Sequence, residues 1–153
     1  MRRVAEALYL AVIVLWVGGL WAIGYIVAPV LFTSLGDRAL AGRVAGQLFT
    51  IIGWVGLGCS IYLLVFVVLR QQLRCFKSPI FWLVLLMAGL TAASQFGLQP
   101  LLAQLKADAL PRDVMESVLR DRFAAWHGIS SILYLIQSLL GLWLAVWSGR
   151  GLR

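Results

Sequence analysis

Four stretches of this chain carry no Asp, Glu, Lys or Arg. They run over 7–36, 44–69, 78–105 and 123–149, lengths of 30, 26, 28 and 27 residues. A helix of about 20 apolar residues crosses a hydrocarbon core of ~30 Å, so each stretch is long enough to span a bilayer. The rest of the sequence agrees: 62% of residues are hydrophobic and only 12% charged, against about 25% charged in soluble domains. The apolar residues run continuously instead of alternating over about ten residues, which excludes a transmembrane β-barrel. The expected fold is therefore all-α: an integral membrane four-helix bundle forming one domain over 1–153. Its spans are expected at about 7–33, 44–69, 79–104 and 123–148. The first apolar run is about twice the length of a signal peptide's and lacks a small-x-small cleavage site, so it is expected to remain as an anchor.

Charge placement gives an orientation. An even number of spans leaves both termini on one side, with Arg2, Arg3, Arg70, Arg74, Lys77, Arg150 and Arg153. Bases close to span ends in short loops mark the cytoplasmic side. The N- and C-termini and the 70–78 loop are thus expected to be cytoplasmic, in what would be a bacterial inner membrane, with 33–43 and 106–122 outside. The net charge of +7 belongs to these span flanks, so the bilayer is the expected partner and nucleic acid is not. In the outer segment LPRDVMESVLRDRF, Pro111 suits a first helical turn and Asp113 and Glu116 its positive end. An amphipathic extension over 111–122 is expected to lengthen the fourth helix outside the membrane.

Helix pairing in lipid relies on small residues. Gly42, Gly46, Gly53, Gly56 and Ser60 supply them in the second span, and Gly18, Gly19 and Ala22 in the first. Pro29 and Pro100 are expected to end or bend the first and third spans. Cys59 lies mid-span and Cys75 in the 70–78 loop, too far apart in depth for a disulfide. No Cys or His spacing reads as a zinc site.

Polar side chains inside a span are costly, and here they favour the outer side. Tyr25 lies toward the outer end of span one, Arg43 and Gln47 at the outer end of span two, and Gln95 and Gln99 one turn apart in span three. His127, the single histidine, opens span four and is followed down one stripe by Ser130 or Ser131, Tyr134, Gln137 or Ser138, and Gly141. The inner half is much drier, with Tyr9, Ser60 and Tyr62 as scattered exceptions. The candidate ligand-binding pocket near the outer leaflet is His127, Gln95, Gln99, Gln47, Arg43, Tyr25 and Ser131. Against it stand plain structural roles: interhelical hydrogen bonds for the glutamines and histidine, and snorkelling for Arg43.

Three elements carry a family resemblance: Ala28, Pro29, Leu31 and Phe32 after a Trp- and Gly-bearing helix; Ala41, Gly42, Gly46 and Phe49; and Phe123, His127 and Gly128. In this order and spacing the chain resembles bacterial four-helix membrane proteins of an uncharacterised domain family related to eukaryotic transmembrane protein 205. The resemblance implies a four-helix membrane protein without an assigned activity, and a link to transport, trafficking or metal handling.

The preferred function is therefore non-enzymatic: binding of a small molecule, lipid or protein partner at the outer pocket. A haem- or metal-binding protein, broadly similar to copper-resistance D-type proteins, is the second reading, with His127 as its metal ligand. It is not favoured, because one histidine without a suitable Cys pair falls short of the ligands such sites draw on. No Ser-His-Asp set is legible for hydrolysis, and no catalytic residue is assigned. Transport would need a homo-oligomer or another membrane protein as partner, since one copy is small for the usual inverted-repeat design.

Overall fold

The computed structural model describes residues 2–109 and 117–150. Among them the chain is helical, without strands. Helix α1 (Arg2–Ala22) passes through a π-helical turn, Ile23–Val27, into α2 (Ala28–Ser34). Helix α3 (Arg38–Gln71) returns, and a 3₁₀ turn, Gln72–Lys77, leads into α4 (Pro79–Ala93). A second π-helical turn, Ser94–Leu98, joins α4 to α5 (Gln99–Ala109), and α6 (Ser117–Arg150) closes the chain. Four stretches are long and apolar enough to cross a membrane: Arg3–Ser34, Arg38–Lys77, Pro79–Gln104 and Ala124–Gly149. Residues 111–116 of the expected extension lie outside the described residues, and α6 begins at Ser117.

The turns follow local chemistry. Asp37 caps α3, its carboxylate accepting from the backbone N–H of Ala39 at 2.8 Å and Leu40 at 3.2 Å, which satisfies donors that a helix start leaves open. Pro79 occupies the first turn of α4, where its missing N–H costs nothing. Gln72 has φ 49° and ψ −132°, a conformation that favours glycine because a Cβ is crowded there. Replacing Gln72 with Gly should raise stability by about 1 kcal/mol, read as a higher unfolding midpoint in mild detergent.

Neither proline breaks its helix. Each follows a π-helical turn in which the backbone N–H of residue 28 reaches Ile23 O, and that of residue 99 reaches Ser94 O. A proline deprives an earlier carbonyl of its donor. The wider turn absorbs that loss, and neither span ends at its proline.

α1 packs against α3 and α6, and α4 packs against the same two. The core between them holds Ile13, Trp16, Leu20, Ile52, Leu63, Met87 and Leu144. Val14, Ile51, Ile61, Trp54, Ile132 and Leu139 point outward and are exposed. A water-facing surface this apolar would associate, whereas a lipid-facing one is at home. At the end carrying the 72–77 turn, Glu6 and Arg70 form an ion pair, and the Arg70 guanidinium lies 5.6 Å from the Phe66 ring centroid. Cys59 and Cys75 are free thiols, and both are buried.

Candidate functional site

Small residues decide where the helices approach, and polar side chains fill the space they leave. At Gly24 a Cβ would collide with the ring of Tyr134, and at Gly53 with the amide of Gln95. The glycines are therefore holes and Tyr134 and Gln95 the knobs. Each knob also donates across the gap. The Tyr134 hydroxyl donates to Leu20 O at 2.6 Å, beside the π-helical turn of α1, and Gln95 Nε2 donates to Thr50 O at 3.3 Å. Gly56 similarly receives the indole edge of the fully buried Trp16.

A polar layer lies at mid-span. Tyr25 Oη and Ser138 Oγ are 2.7 Å apart, and Trp21 Nε1 donates to Ser138 O at 3.2 Å, tying α1 and its π turn to α6. On the opposite side of α6, Gln137 Nε2 donates to Met87 O at 3.2 Å and to Thr91 Oγ1 at 3.0 Å. Thr91 in turn donates to Met87 O at 2.8 Å. With Met87 O accepting, the amide orientation of Gln137 is fixed: its oxygen points away. That oxygen is buried and has no hydrogen-bond partner among the described residues.

The seven residues expected to form a pocket are placed as follows. Gln95 is buried against Thr50 and Tyr25 is joined to Ser138. Gln99 is half-buried on α5, and Arg43, Gln47, His127 and Ser131 have exposed faces. The Ser131 hydroxyl donates to His127 O, one turn back on its own helix, at 2.9 Å. Gln95, which is buried, and Tyr25, which is 40% exposed, thus belong to interhelical contacts, and the other five continue the polar character toward the end carrying the Leu35–Asp37 connection. The sequence reading placed Gln137 and Ser138 on the α6 stripe without assigning them to the site, and it passed over Thr91. The available signal was depth: Thr91 and Gln137 sit at the centres of the spans Pro79–Gln104 and Ala124–Gly149, where a polar group is most costly.

The opposite half is drier. Its interhelical polar contacts are Tyr9 Oη with Ser148 Oγ at 3.3 Å and the Glu6–Arg70 ion pair, while Ser60 donates to Leu57 O within its own helix. On the outer face of α6, Leu139, Leu142, Trp143, Val146 and Trp147 line a shallow apolar groove of about 400 Å³. No three His, Cys, Asp or Glu side chains gather into a metal-holding group among the described residues.

Residues 11–110, about two thirds of the chain, match the family model described as Domain of unknown function (DUF4149). The chain belongs to this family. The match covers the first span from residue 11 onward and the whole of the second and third, including both π turns, Trp16, Gly24, Gly53 and Gln95, while Gln137 and His127 on α6 lie beyond it. No curated protein and no solved structure matches the chain. The family is uncharacterised, so its membership brings no activity to the site.

Proposed function

We propose that this DUF4149 protein is a non-enzymatic integral membrane protein that binds a small polar molecule or a lipid headgroup. It does so through the half that carries the Leu35–Asp37 connection, which faces outward with the termini in the cytoplasm. The observation that carries this reading is the one-sided placement of polar side chains. Tyr25, Tyr134, Ser138, Gln95, Thr91 and Gln137 hold the helices from mid-span toward that end. Arg43, Gln47 and His127 continue beyond them with exposed faces. Hydrogen bonds between spans hold helices together for about 0.6 kcal/mol each, and that need applies equally to both halves. The second half makes do with the Tyr9–Ser148 contact and the Glu6–Arg70 ion pair, so the larger polar set at the other end points to a use besides packing. Arg43 supplies a charge-assisted donor suited to phosphate or carboxylate, and Gln47 and His127 supply further hydrogen-bonding groups.

The test is native mass spectrometry of the protein released from nanodiscs of mixed phospholipids. A retained molecule should be present on the wild type and at least about tenfold less abundant on Arg43→Ala/Gln47→Ala, the loss expected for one charge-assisted hydrogen bond. Equal retention by both proteins would refute the assignment of the polar end.

A further inference from the structure

The two halves of the chain repeat each other. Pro29 and Pro100 are 71 residues apart, and so are the π turns that precede them. The same offset pairs Ile13 with Val84, Trp16 with Met87 and Leu20 with Thr91, all buried, and Gly18 with Gly89, both exposed. On the returning helices an offset of 81 pairs Gly56 with Gln137, Ser60 with Gly141, Leu63 with Leu144 and Val67 with Ser148, again all buried. Contacts obey the same mapping. The Gly24–Tyr134 contact corresponds to Gln95–Gly53 with knob and hole exchanged, and Trp16 against Gly56 corresponds to Met87 against Gln137. Two helical hairpins are thus related by a pseudo-two-fold axis along the helices, and the repeat is parallel. Proline-marked irregularities at corresponding positions of two repeats are, in membrane transporters, the best sequence-level pointer to the binding site.

The mapping also shows where the halves differ. Where one has an indole closing over Gly56, the other has Gln137, 6% exposed, with its amide oxygen unpartnered among the described residues. A buried acceptor left without a donor carries its full desolvation cost. In a packed membrane interior such an oxygen calls for a donor that the described arrangement does not supply. Both π turns lie about one turn beyond this level, toward the Leu35–Asp37 end. Each lacks a proline N–H and is locally less tightly bonded.

We infer that the described arrangement is the closed form of a hinged bundle. Its two π–proline turns open the half toward the Leu35–Asp37 connection, and water then enters to mid-membrane and donates to Gln137 Oε1. Closing returns the oxygen to its unpartnered state, so the amide biases the bundle toward opening. This vestibule is deeper than the outer binding surface proposed above and does not depend on it.

Cysteine accessibility tests it in proteoliposomes, on a Cys59→Ala/Cys75→Ser background. Thr91→Cys and Ser138→Cys are nearly isosteric and sit at the level of Gln137. Ser60→Cys and Ser148→Cys sit in the other half, and Gln47→Cys reports full exposure. A small cationic methanethiosulfonate should label Thr91→Cys and Ser138→Cys from the Leu35–Asp37 side and leave Ser60→Cys and Ser148→Cys unlabelled. Adding Gln137→Met, which removes the unpartnered oxygen, should slow labelling of Thr91→Cys about tenfold. Absence of label at 91 and 138 beside full labelling at 47 would overturn the opening, and so would equal labelling of both halves. An unchanged rate with Gln137→Met would overturn the role given to the amide. The outer binding surface is scored separately by the retained molecule, so the two readings fail independently.

Discussion

Trp16→Ala should be the most damaging single substitution in the chain, lowering stability by about 3–5 kcal/mol. Trp16 is fully buried and shares the core with Ile13, Leu63, Met87 and Leu144. Its indole edge lies against Gly56, a position that no larger residue could occupy without moving the ring. Removing the indole leaves a cavity between α1 and α3 that rigid helices cannot close. Dispersion contacts are the main attraction between helices in lipid, so the lost packing is not offset by the solvent. The reciprocal change gives a control. Gly56→Ala overfills the same contact and should cost about 1–3 kcal/mol, and combining it with Trp16→Phe should restore part of that loss. Unfolding in mixed micelles, followed by tryptophan fluorescence or steric trapping, measures all three. A Trp16→Ala variant as stable as wild type would show that the indole does not fill the core.

The second large effect is expected at Tyr134. Its ring fills the space above Gly24 and meets Phe49 edge-on with centroids 5.1 Å apart. Its hydroxyl reaches Leu20 O. Tyr134→Ala removes all three contacts and should cost about 3–5 kcal/mol, in the range for large aromatic truncations. Tyr134→Phe keeps the ring and loses only the hydrogen bond, worth about 0.6 kcal/mol between spans. The ratio of the two separates shape from polarity: comparable losses would mean that the hydroxyl, and not the ring, holds α6 against the π turn of α1. Gly24→Ala overfills the same contact from the other side and should cost about 1–3 kcal/mol.

The spans were legible in the sequence because charge-free length is a coarse signal that lipid enforces directly. Free cysteines followed from depth alone, since Cys59 and Cys75 belong to different levels. Gly53 and Gly56 were legible as part of a stripe, Gly24 was not, and no partner was: nothing local in the sequence says that Gly53 receives Gln95 or that Gly24 receives Tyr134. Those pairings depend on helix rotation and register, which are properties of the packed whole. Pro29 and Pro100 were read as ends or bends because the penalty for a missing N–H is local. The π turns that absorb it need the whole helix to be held in place by its neighbours. The candidate pocket was drawn from polarity and depth. The structure divides that list between interhelical contacts, made by the buried Gln95 and the part-exposed Tyr25, and exposed faces, Arg43, Gln47, His127 and Ser131. The unpartnered oxygen of Gln137 had no sequence signature beyond its mid-span position, because satisfaction of a buried group is decided by neighbours from α4.

The central claim is that polarity and water access belong to one half of the molecule. Deuterium uptake along α6, measured on the protein in nanodiscs, tests it most directly. Backbone amides from about His127 to Ser138 should exchange faster than those from Gly141 to Ser148, with the gradient falling toward the 72–77 end. Uniform protection along α6, or faster exchange over Gly141–Ser148, would contradict the account.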